Sequence, residues 1–479
     1  PNVGGPPIPP PEPTRAHWWA QAAERGRASW DASTPQLSAA LGDDGVAGGI
    51  GLEMASAINT LLAEHAEDFD LWTWVWGAHA RSLHLHLPDA HGPRHPYLED
   101  IEALRSEHPG IATGAIGYLT DPVECETALT SGTSDVVFLG RPLITDAAFP
   151  NKAAEGKIEN IRYCISCNSC WRSIIEAGAL ACDNNPKVGE PDEHFVAPPA
   201  VTSRRHVAIV GTGVAALEAA HTAAARGHKV TVLGDHDAFG GKTRLHAQMP
   251  GGENLSSVYD YQCLKAQQLG VKFELGRQAR IEDVLSCDPD VVLLATGSRS
   301  ARPGWLPEDW FAQGLIPSLR DMAKQLTQGM GRAPGRAIIV DQDHTEMTYA
   351  TALRMATYFD QMTLVTSRER FANDVSLINR QGILKRLFES HVELICHVEP
   401  EGVTQLEEGR FALRNVYNGA LETLDSVTAV IHASSRVPND GLREPLLARA
   451  LDVIPIGDCK APRSLMAATR EGYDIANAL

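Results

Sequence analysis

Four cysteines stand at a spacing that can hold a metal centre. Cys164, Cys167 and Cys170 fall within seven residues and Cys182 follows, giving C-x2-C-x2-C-x11-C. Three thiols so close along the chain cannot readily pair as disulfides, because the backbone between them is too short. They can converge on one inorganic centre, with the fourth thiol arriving from a later loop. Iron–sulfur clusters are held by four thiolates, often three clustered and one remote. A [4Fe–4S] centre is therefore the first reading. Zinc is an alternative, although structural zinc usually takes two separated C-x2-C or C/H pairs. Buried thiols without metal are another. Asn184-Asn185-Pro186, just past Cys182, suits a tight turn.

A second chemistry lies further on. Residues 206–210 are an apolar strand, and Gly211-Thr212-Gly213-Val214-Ala215-Ala216 opens a helix that runs to Arg226. Residues 230–233 form the next strand. This is G-x-G-x-x-A in a βαβ context, where glycines let a pyrophosphate approach the helix N-terminus. The acid that should end the second strand and bind ribose hydroxyls is replaced by Gly234, with Asp235 one residue later. Gly240-Gly241-Lys242, the strand ending in Ala295-Thr296-Gly297, and Gly457-Asp458 resemble later elements of the two-dinucleotide flavoprotein fold. That resemblance implies that Gly211, Gly213, Ala216, Asp235, Gly240, Gly241, Thr296, Gly297, Gly457 and Asp458 hold FAD or ADP.

An inserted domain repeats the pattern without its chemistry. Residues 337–340 form the expected strand, but the turn that follows is Asp341-Gln342-Asp343-His344-Thr345-Glu346. It has no glycine, so backbone cannot approach a pyrophosphate. Asp341, Asp343 and Glu346 would face an anionic ligand and repel it. The domain is expected to keep its fold and to have lost NAD(P)H binding.

The first third must position whatever precedes the cysteines. Helical patterns cover residues 54–66, 97–108 and 121–130; strands are predicted at 69–76, 111–117 and 135–141. Such alternation means β/α units and a parallel sheet. Trp72, Trp74 and Trp76 alternate, so they share one face, read as packing against a partner layer. His84, His86, His91 and His95 sit in a Pro/Gly-rich stretch and are expected to be solvated. Pro6 to Pro13 is a stiff polyproline-type linker or surface strap, with partner docking as the alternative.

Gly117-Tyr118-Leu119-Thr120-Asp121-Pro122, Gly140-Arg141-Pro142-Leu143 and Phe149-Pro150-Asn151-Lys152, followed by the cysteines, resemble a known family. It is the iron–sulfur branch of the old yellow enzyme / NADH:flavin oxidoreductase family, with trimethylamine dehydrogenase the nearer match and 2,4-dienoyl-CoA reductase also in it. The resemblance implies a (β/α)8 barrel with FMN, whose phosphate would meet Gly117, Gly140 and Arg141. A complete barrel takes ~250 residues, and Gly48 to Asn160 holds only about three to four β/α units. The earlier strands belong to another chain, lie outside this sequence, or have atrophied. Tyr118 stands where the family commonly has Arg, and Thr73 where trimethylamine dehydrogenase has a second carboxylate. Both departures weaken an FMN and substrate site on this chain, and no catalytic residue is identified.

The totals set bounds. A chain of 479 residues implies two to four domains. A net charge of -18 argues against nucleic-acid binding, and no apolar run reaches the ~18–20 residues of a membrane span. Cys125, Cys263, Cys287, Cys396 and Cys459 are scattered like small core residues. Lone thiols and a cluster fit a reducing cytoplasm. No signal peptide is visible, and the start at Pro1 implies residues upstream.

The expected architecture is α/β: a partial (β/α)8 barrel segment, an iron–sulfur loop, then a Rossmann-like FAD/NAD-type domain pair. The boundaries are 1–47 for the Pro-rich segment, 48–159 for the barrel end and 160–203 for the cluster. Residues 204–300 with 430–479 form the FAD/ADP-binding domain, and 301–429 the degenerate NAD-like domain. The expected function is an iron–sulfur flavoprotein oxidoreductase that oxidises a small N-methylated amine. Electrons would pass through the cluster to an acceptor such as an electron-transferring flavoprotein. A homo- or hetero-oligomer is expected, with a barrel-completing subunit as a candidate partner. The alternatives are an NAD(P)H-dependent enoate reductase and a non-catalytic electron-transfer or scaffold subunit.

Overall fold

The computed structural model describes residues 57, 60, 61, 64, 71–77, 82–110, 112–191, 193 and 199–479. The Pro-rich segment and most of the expected helix over 54–66 fall outside these; its four described residues are helical. The chain divides into two compact units. Of the described residues, the first comprises those up to 88 with those of 94–119 and 123–138; the second comprises those of 89–93, 120–122 and 139–479.

In the first unit β1 (Trp72–Thr73), β2 (Thr113–Ala115) and β3 (Val136–Val137) form a parallel sheet in that order. Helix α1 (Leu98–Glu107) joins β1 to β2, and α2 (Pro122–Thr130) joins β2 to β3. These are β/α units, as the alternation predicts. Two strands are shorter than predicted. Among the described residues 71–76 of the expected 69–76, regular pairing covers only Trp72–Thr73, and β3 stops before Gly140, which precedes a helix. The tryptophans pack against a neighbouring layer, as their alternation predicts. Trp72 and Trp74 pack with Tyr97, Ile101 and Leu104 of the same unit, with Trp76 against them. Helix α1 supplies that layer through Ile101 and Leu104. Asp135 fixes the register by accepting from Thr113 N at 2.9 Å and Arg105 Nη2 at 3.0 Å.

The second unit begins with two short helices, α3 (Arg141–Thr145) and α4 (Phe149–Ala154), before the cysteines and α5 (Ser169–Ala177). Then β4 (His206–Val210), α6 (Val214–Ala225) and β5 (Lys229–Leu233) build the βαβ unit. The sheet grows through α7 (Gly241–Ala247), α8 (Ser256–Gln268), β6 (Lys272–Glu274) and β7 (Val291–Leu294). Residues 207–210 are all buried, as in a parallel strand covered on both faces. Ala216, Ala219, Ala220 and Ala223 of α6 have no exposed surface, so the helix lies close on the sheet.

The chain leaves through β8 (Ser298–Ser300) and α9 (Leu319–Gln328) for a second parallel sheet. That sheet contains β9 (Ala333–Asp341), β10 (Phe359–Val365) and β11 (Glu393–Ile395), with α10 (Glu346–Met355) and α11 (Leu377–Glu389) on it. An antiparallel sheet of β12 (Val398–Pro400), β13 (Phe411–Asn415) and β14 (Leu421–Leu424) precedes β15 (Val427–Ala433). The second sheet has the order β11-β10-β9-β15. The chain returns through β16 (Arg436–Pro438), which pairs with β8. It ends with β17 (Val453–Pro455) and α12 (Leu465–Ala478). The first sheet then reads β17-β7-β4-β5-β6, all parallel. One dinucleotide-type domain is thus inserted into another.

Candidate redox and nucleotide site

Residues 161–168 are neither helix nor strand, and Cys170 lies in the first turn of α5; Ser166 and Asn168 take left-handed conformations at φ 52° and 56°. Such conformations are uncommon for residues with a Cβ and mark a segment held by its surroundings. Ser166 N donates to Cys164 Sγ and Asn185 N to Cys182 Sγ, both at 3.4 Å. The Thr145 hydroxyl lies 3.7 Å from Cys182 Sγ. All four thiols are free of disulfides. Cys164 lies within electrostatic reach of Cys170 and Cys182, and Cys182 within that of Cys167. Among the described residues no three His, Cys, Asp or Glu side chains gather closely enough to hold a metal ion. Burial pushes Cys167 well above the ordinary thiol value and Cys182 up to about 11. A buried thiolate needs a neighbouring cation, which a metal centre supplies. In donor type alone, four thiols with N–H groups on two of the sulfurs match what an iron–sulfur cluster takes.

The first nucleotide turn owes its form to two glycines with different tasks. Gly211 has φ +124°, and a Cβ there would meet Ala295 O at 2.3 Å. Gly213 has ordinary dihedrals and nothing within 4 Å of a Cβ, so it leaves space in front of α6. Ala216 is fully buried at the helix–sheet contact. The second turn closes on the first: Gly240 N donates to Thr212 O at 2.8 Å, and Gly213 bridges Gly240. Gly234 is also explained. A Cβ there would lie 2.5 Å from Thr212 Cγ2, so a side chain at 234 would displace its neighbours, and the nearest acid is exposed Asp235.

These residues surround a cavity of about 1520 Å³. Of the ten predicted nucleotide residues, all but Ala216 and Gly457 line it, and Cys167 lines it too. Gly457 lies behind the wall, where a Cβ would meet that of Ala215 at 2.7 Å. Asp458 is buried and accepts from Lys242, from Arg436 Nη1 at 2.9 Å and from Ser298 Oγ at 2.8 Å. Burial works against its charge, yet Lys242 and Arg436 hold the carboxyl below its ordinary value.

The inserted domain replaces the missing glycine turn with its own acids. Asp343 accepts from Thr345 N at 3.0 Å and Thr348 Oγ1 at 2.7 Å, so a carboxylate already occupies the start of α10. Glu346 also lines the cavity and accepts from Asn379 Nδ2 at 2.9 Å. Asp341 departs from the sequence reading. It is fully buried and accepts from His344 N at 2.9 Å and the Tyr349 hydroxyl at 2.7 Å, so it does not face the cavity.

A pyridine nucleotide-disulphide oxidoreductase family model matches residues 205–442. A probable N-methylproline demethylase of Rhizobium meliloti is 30% identical over 290 residues, covering 59% of this chain and 41% of that protein. A cinnamate reductase of Clostridium sporogenes is 36% identical over 237 residues, covering 48% of this chain and 33% of that protein. The chain is thus similar to members of the old yellow enzyme / NADH:flavin oxidoreductase family. A solved 2-naphthoyl-CoA reductase superposes with a TM-score of 0.80 at 22% identity, covering 91% of this chain and 64% of that one, and shares the fold. The chain spans about half the length of the curated relatives that it matches.

The predicted FMN-phosphate residues do not all share one unit. Gly117 belongs to the first, at φ +92° with a Cβ path blocked by the Tyr97 ring. Gly140 and Arg141 belong to the second, where Arg141 Nη1 donates to Asn168 Oδ1 at 2.6 Å inside the cysteine run. His91 corrects the expectation of solvated histidines. It is buried, with its backbone N–H donating to Asp89 Oδ1 at 2.9 Å and its ring Nδ1 3.2 Å from the same atom. Burial would lower its proton affinity, but Asp89 and Glu346 outweigh that and raise it. No motif marked this cluster, nor the Arg162–Glu218 pair described below. Each joins residues far apart in the chain, and spacing carries no signal for that.

Proposed function

We propose that this chain is part of an iron–sulfur flavoprotein oxidoreductase of the amine-dehydrogenase type. Cys164, Cys167, Cys170 and Cys182 would hold a [4Fe–4S] cluster. The glycine turns at Gly211–Ala216 and Gly240–Gly241, with Asp235, Thr296, Gly297, Gly457 and Asp458, would hold FAD or ADP. Gly117, Gly140 and Arg141 would serve an FMN phosphate. The five domain boundaries expected from the sequence are part of the same proposal.

The observation that carries this reading is one cavity lined both by Cys167 and by the glycine turns. A flavin and a cluster together would divide a two-electron oxidation into single-electron transfers. The chain's own part is to bind and orient. The α6 N-terminus presents N–H groups to an anion. Lys242 and Arg436 keep Asp458 ionised inside the wall. The proposed substrate is a small N-methylated amine, in line with the demethylase and with a dimethylamine dehydrogenase of Hyphomicrobium at 24% identity. The proposed acceptor is an electron-transferring flavoprotein in the cytoplasm, with a homo- or hetero-oligomer that can include a barrel-bearing subunit. Among the described residues no helix is long and apolar enough to cross a membrane.

The cinnamate reductase match favours a second reading, an enoate reductase fed by NAD(P)H. Asp343 at the head of α10 opposes it, because a pyrophosphate would meet a carboxylate there. Iron and sulfide assays with chromatography of released FMN, FAD and ADP test the main reading, and iron-free protein overturns it. Bleaching of the flavin by NADH would establish the second reading instead. Loaded cofactors without amine turnover until a barrel-bearing chain is added would point to an electron-transfer subunit.

A further inference from the structure

Arg162 precedes Cys164 by two residues, and Asn184 follows Cys182 by two. Arg162 Nη1 donates to Asn184 O at 2.6 Å, and the Asn184 side chain donates back to Tyr163 O at 2.9 Å. One guanidinium therefore ties together both ends of the thiol loop. Its Nη2 reaches Glu218 Oε1 and Oε2 at 2.9 and 3.0 Å. Glu218 lies on α6, five residues beyond Gly213 at the mouth of the nucleotide cavity. Both side chains are buried, at 9% and 1% exposure. Gln262 Nε2 donates to Glu218 at 2.7 Å, His221 stands 3.2 Å from it, and the guanidinium lies 4.5 Å over the Tyr261 ring. The Cys182 thiol is within electrostatic reach of Arg162.

We propose that Arg162 positions the four-thiol loop and tunes its reduction potential, with Glu218 as the counter-charge that offsets it. This rests on the reading of the loop as an iron–sulfur site. One electron taken up at that site turns one ferric ion ferrous and adds one negative charge, with no bond made or broken. A buried fixed cation beside the thiols favours the reduced form, and a buried carboxylate disfavours it. Arg162 is a positioning residue rather than a ligand. Through Glu218 it also joins the loop to the helix whose N-terminus faces the nucleotide.

The test is a dithionite titration of the purified full chain, followed by electron paramagnetic resonance at fixed pH. Iron and sulfide content are measured alongside. Glu218→Gln leaves the cation uncompensated and is expected to raise the midpoint potential. Arg162→Gln leaves the carboxylate and is expected to lower it. The double Gln variant is expected to return towards wild type, and Arg162→Lys to stay near it. Shifts of the same sign, or none, overturn the proposal, because a role in folding alone has no sign. Should the single Gln variants lose iron, Arg162→Lys and the double variant carry the test: a large shift in Arg162→Lys overturns tuning by charge. Iron-free wild type overturns the cluster reading itself, whereas loaded wild type with unsigned shifts overturns only this inference.

Discussion

Gly211 and Gly213 sit two residues apart in one motif, and the structure predicts opposite outcomes for alanine at the two positions. At Gly211 the methyl group would meet Ala295 O at 2.3 Å, with φ +124° already hostile to a side chain. That oxygen is a backbone atom, so the clash can be relieved only by moving the chain and not by turning a side chain. Backbone strain of this kind costs about 1–3 kcal/mol and overpacking a similar amount. Gly211→Ala should therefore lose about 2–6 kcal/mol of stability. At Gly213 the dihedrals are ordinary and the methyl group meets nothing within 4 Å. Stability should stay within about 0.5 kcal/mol of wild type. The methyl group would fill the space where a pyrophosphate approaches the α6 N–H groups. Losing one hydrogen bond to a charged group costs about 1.5–3 kcal/mol, or roughly 10- to 100-fold in affinity. Urea denaturation measures the first effect and isothermal titration with ADP the second. A Gly213→Ala protein that binds ADP like wild type would refute the assignment of the cavity. A Gly211→Ala protein of unchanged stability would refute the close backbone approach at β7.

Replacing any one of Cys164, Cys167, Cys170 or Cys182 by Ser should lower iron and sulfide content sharply, whereas Cys125→Ser should leave both unchanged. Glu218→Ala should cost about 3–5 kcal/mol because it strands a buried Arg162, while the pair replaced by Met should be near neutral, read by urea denaturation. Burial holds His432 neutral down to about 4, against an ordinary value of 6.5. Protons then bind the unfolded chain first, so its share of stability is complete above 6.5 and declines as pH falls towards 4. His432→Asn should flatten that part of the curve, and an unchanged curve would show that His432 has no part in it.

The chemistry legible in the sequence is local. The four-cysteine spacing, the strand–glycine–helix order at 206–226 and the loss of glycine at Asp341–Glu346 are runs of neighbours, whose backbone limits follow from residue type alone. The family resemblance rested on such runs too. The strands at 69–76 and 135–141 were over-extended because β propensity marks a fit to a pleated surface, and a three-stranded sheet of short strands pairs only part of each run.

Pairings across the chain had no such signature. Arg162 meets Glu218 across 56 positions, and Asn168 approaches Asp89 across 79. His91 looked like one of several solvated histidines, and only folding set it between Asp89 and Glu346. Asp341 and Asp343 read alike in sequence, yet the strand end turns one into the core and leaves the other at the head of α10. Spacing along the chain determined which groups can bind a metal or a pyrophosphate, because those ligands are gripped by neighbouring residues. The tertiary structure decided which charges are buried and paired. A buried charge is stable only beside a partner, and the fold brings that partner from elsewhere in the chain.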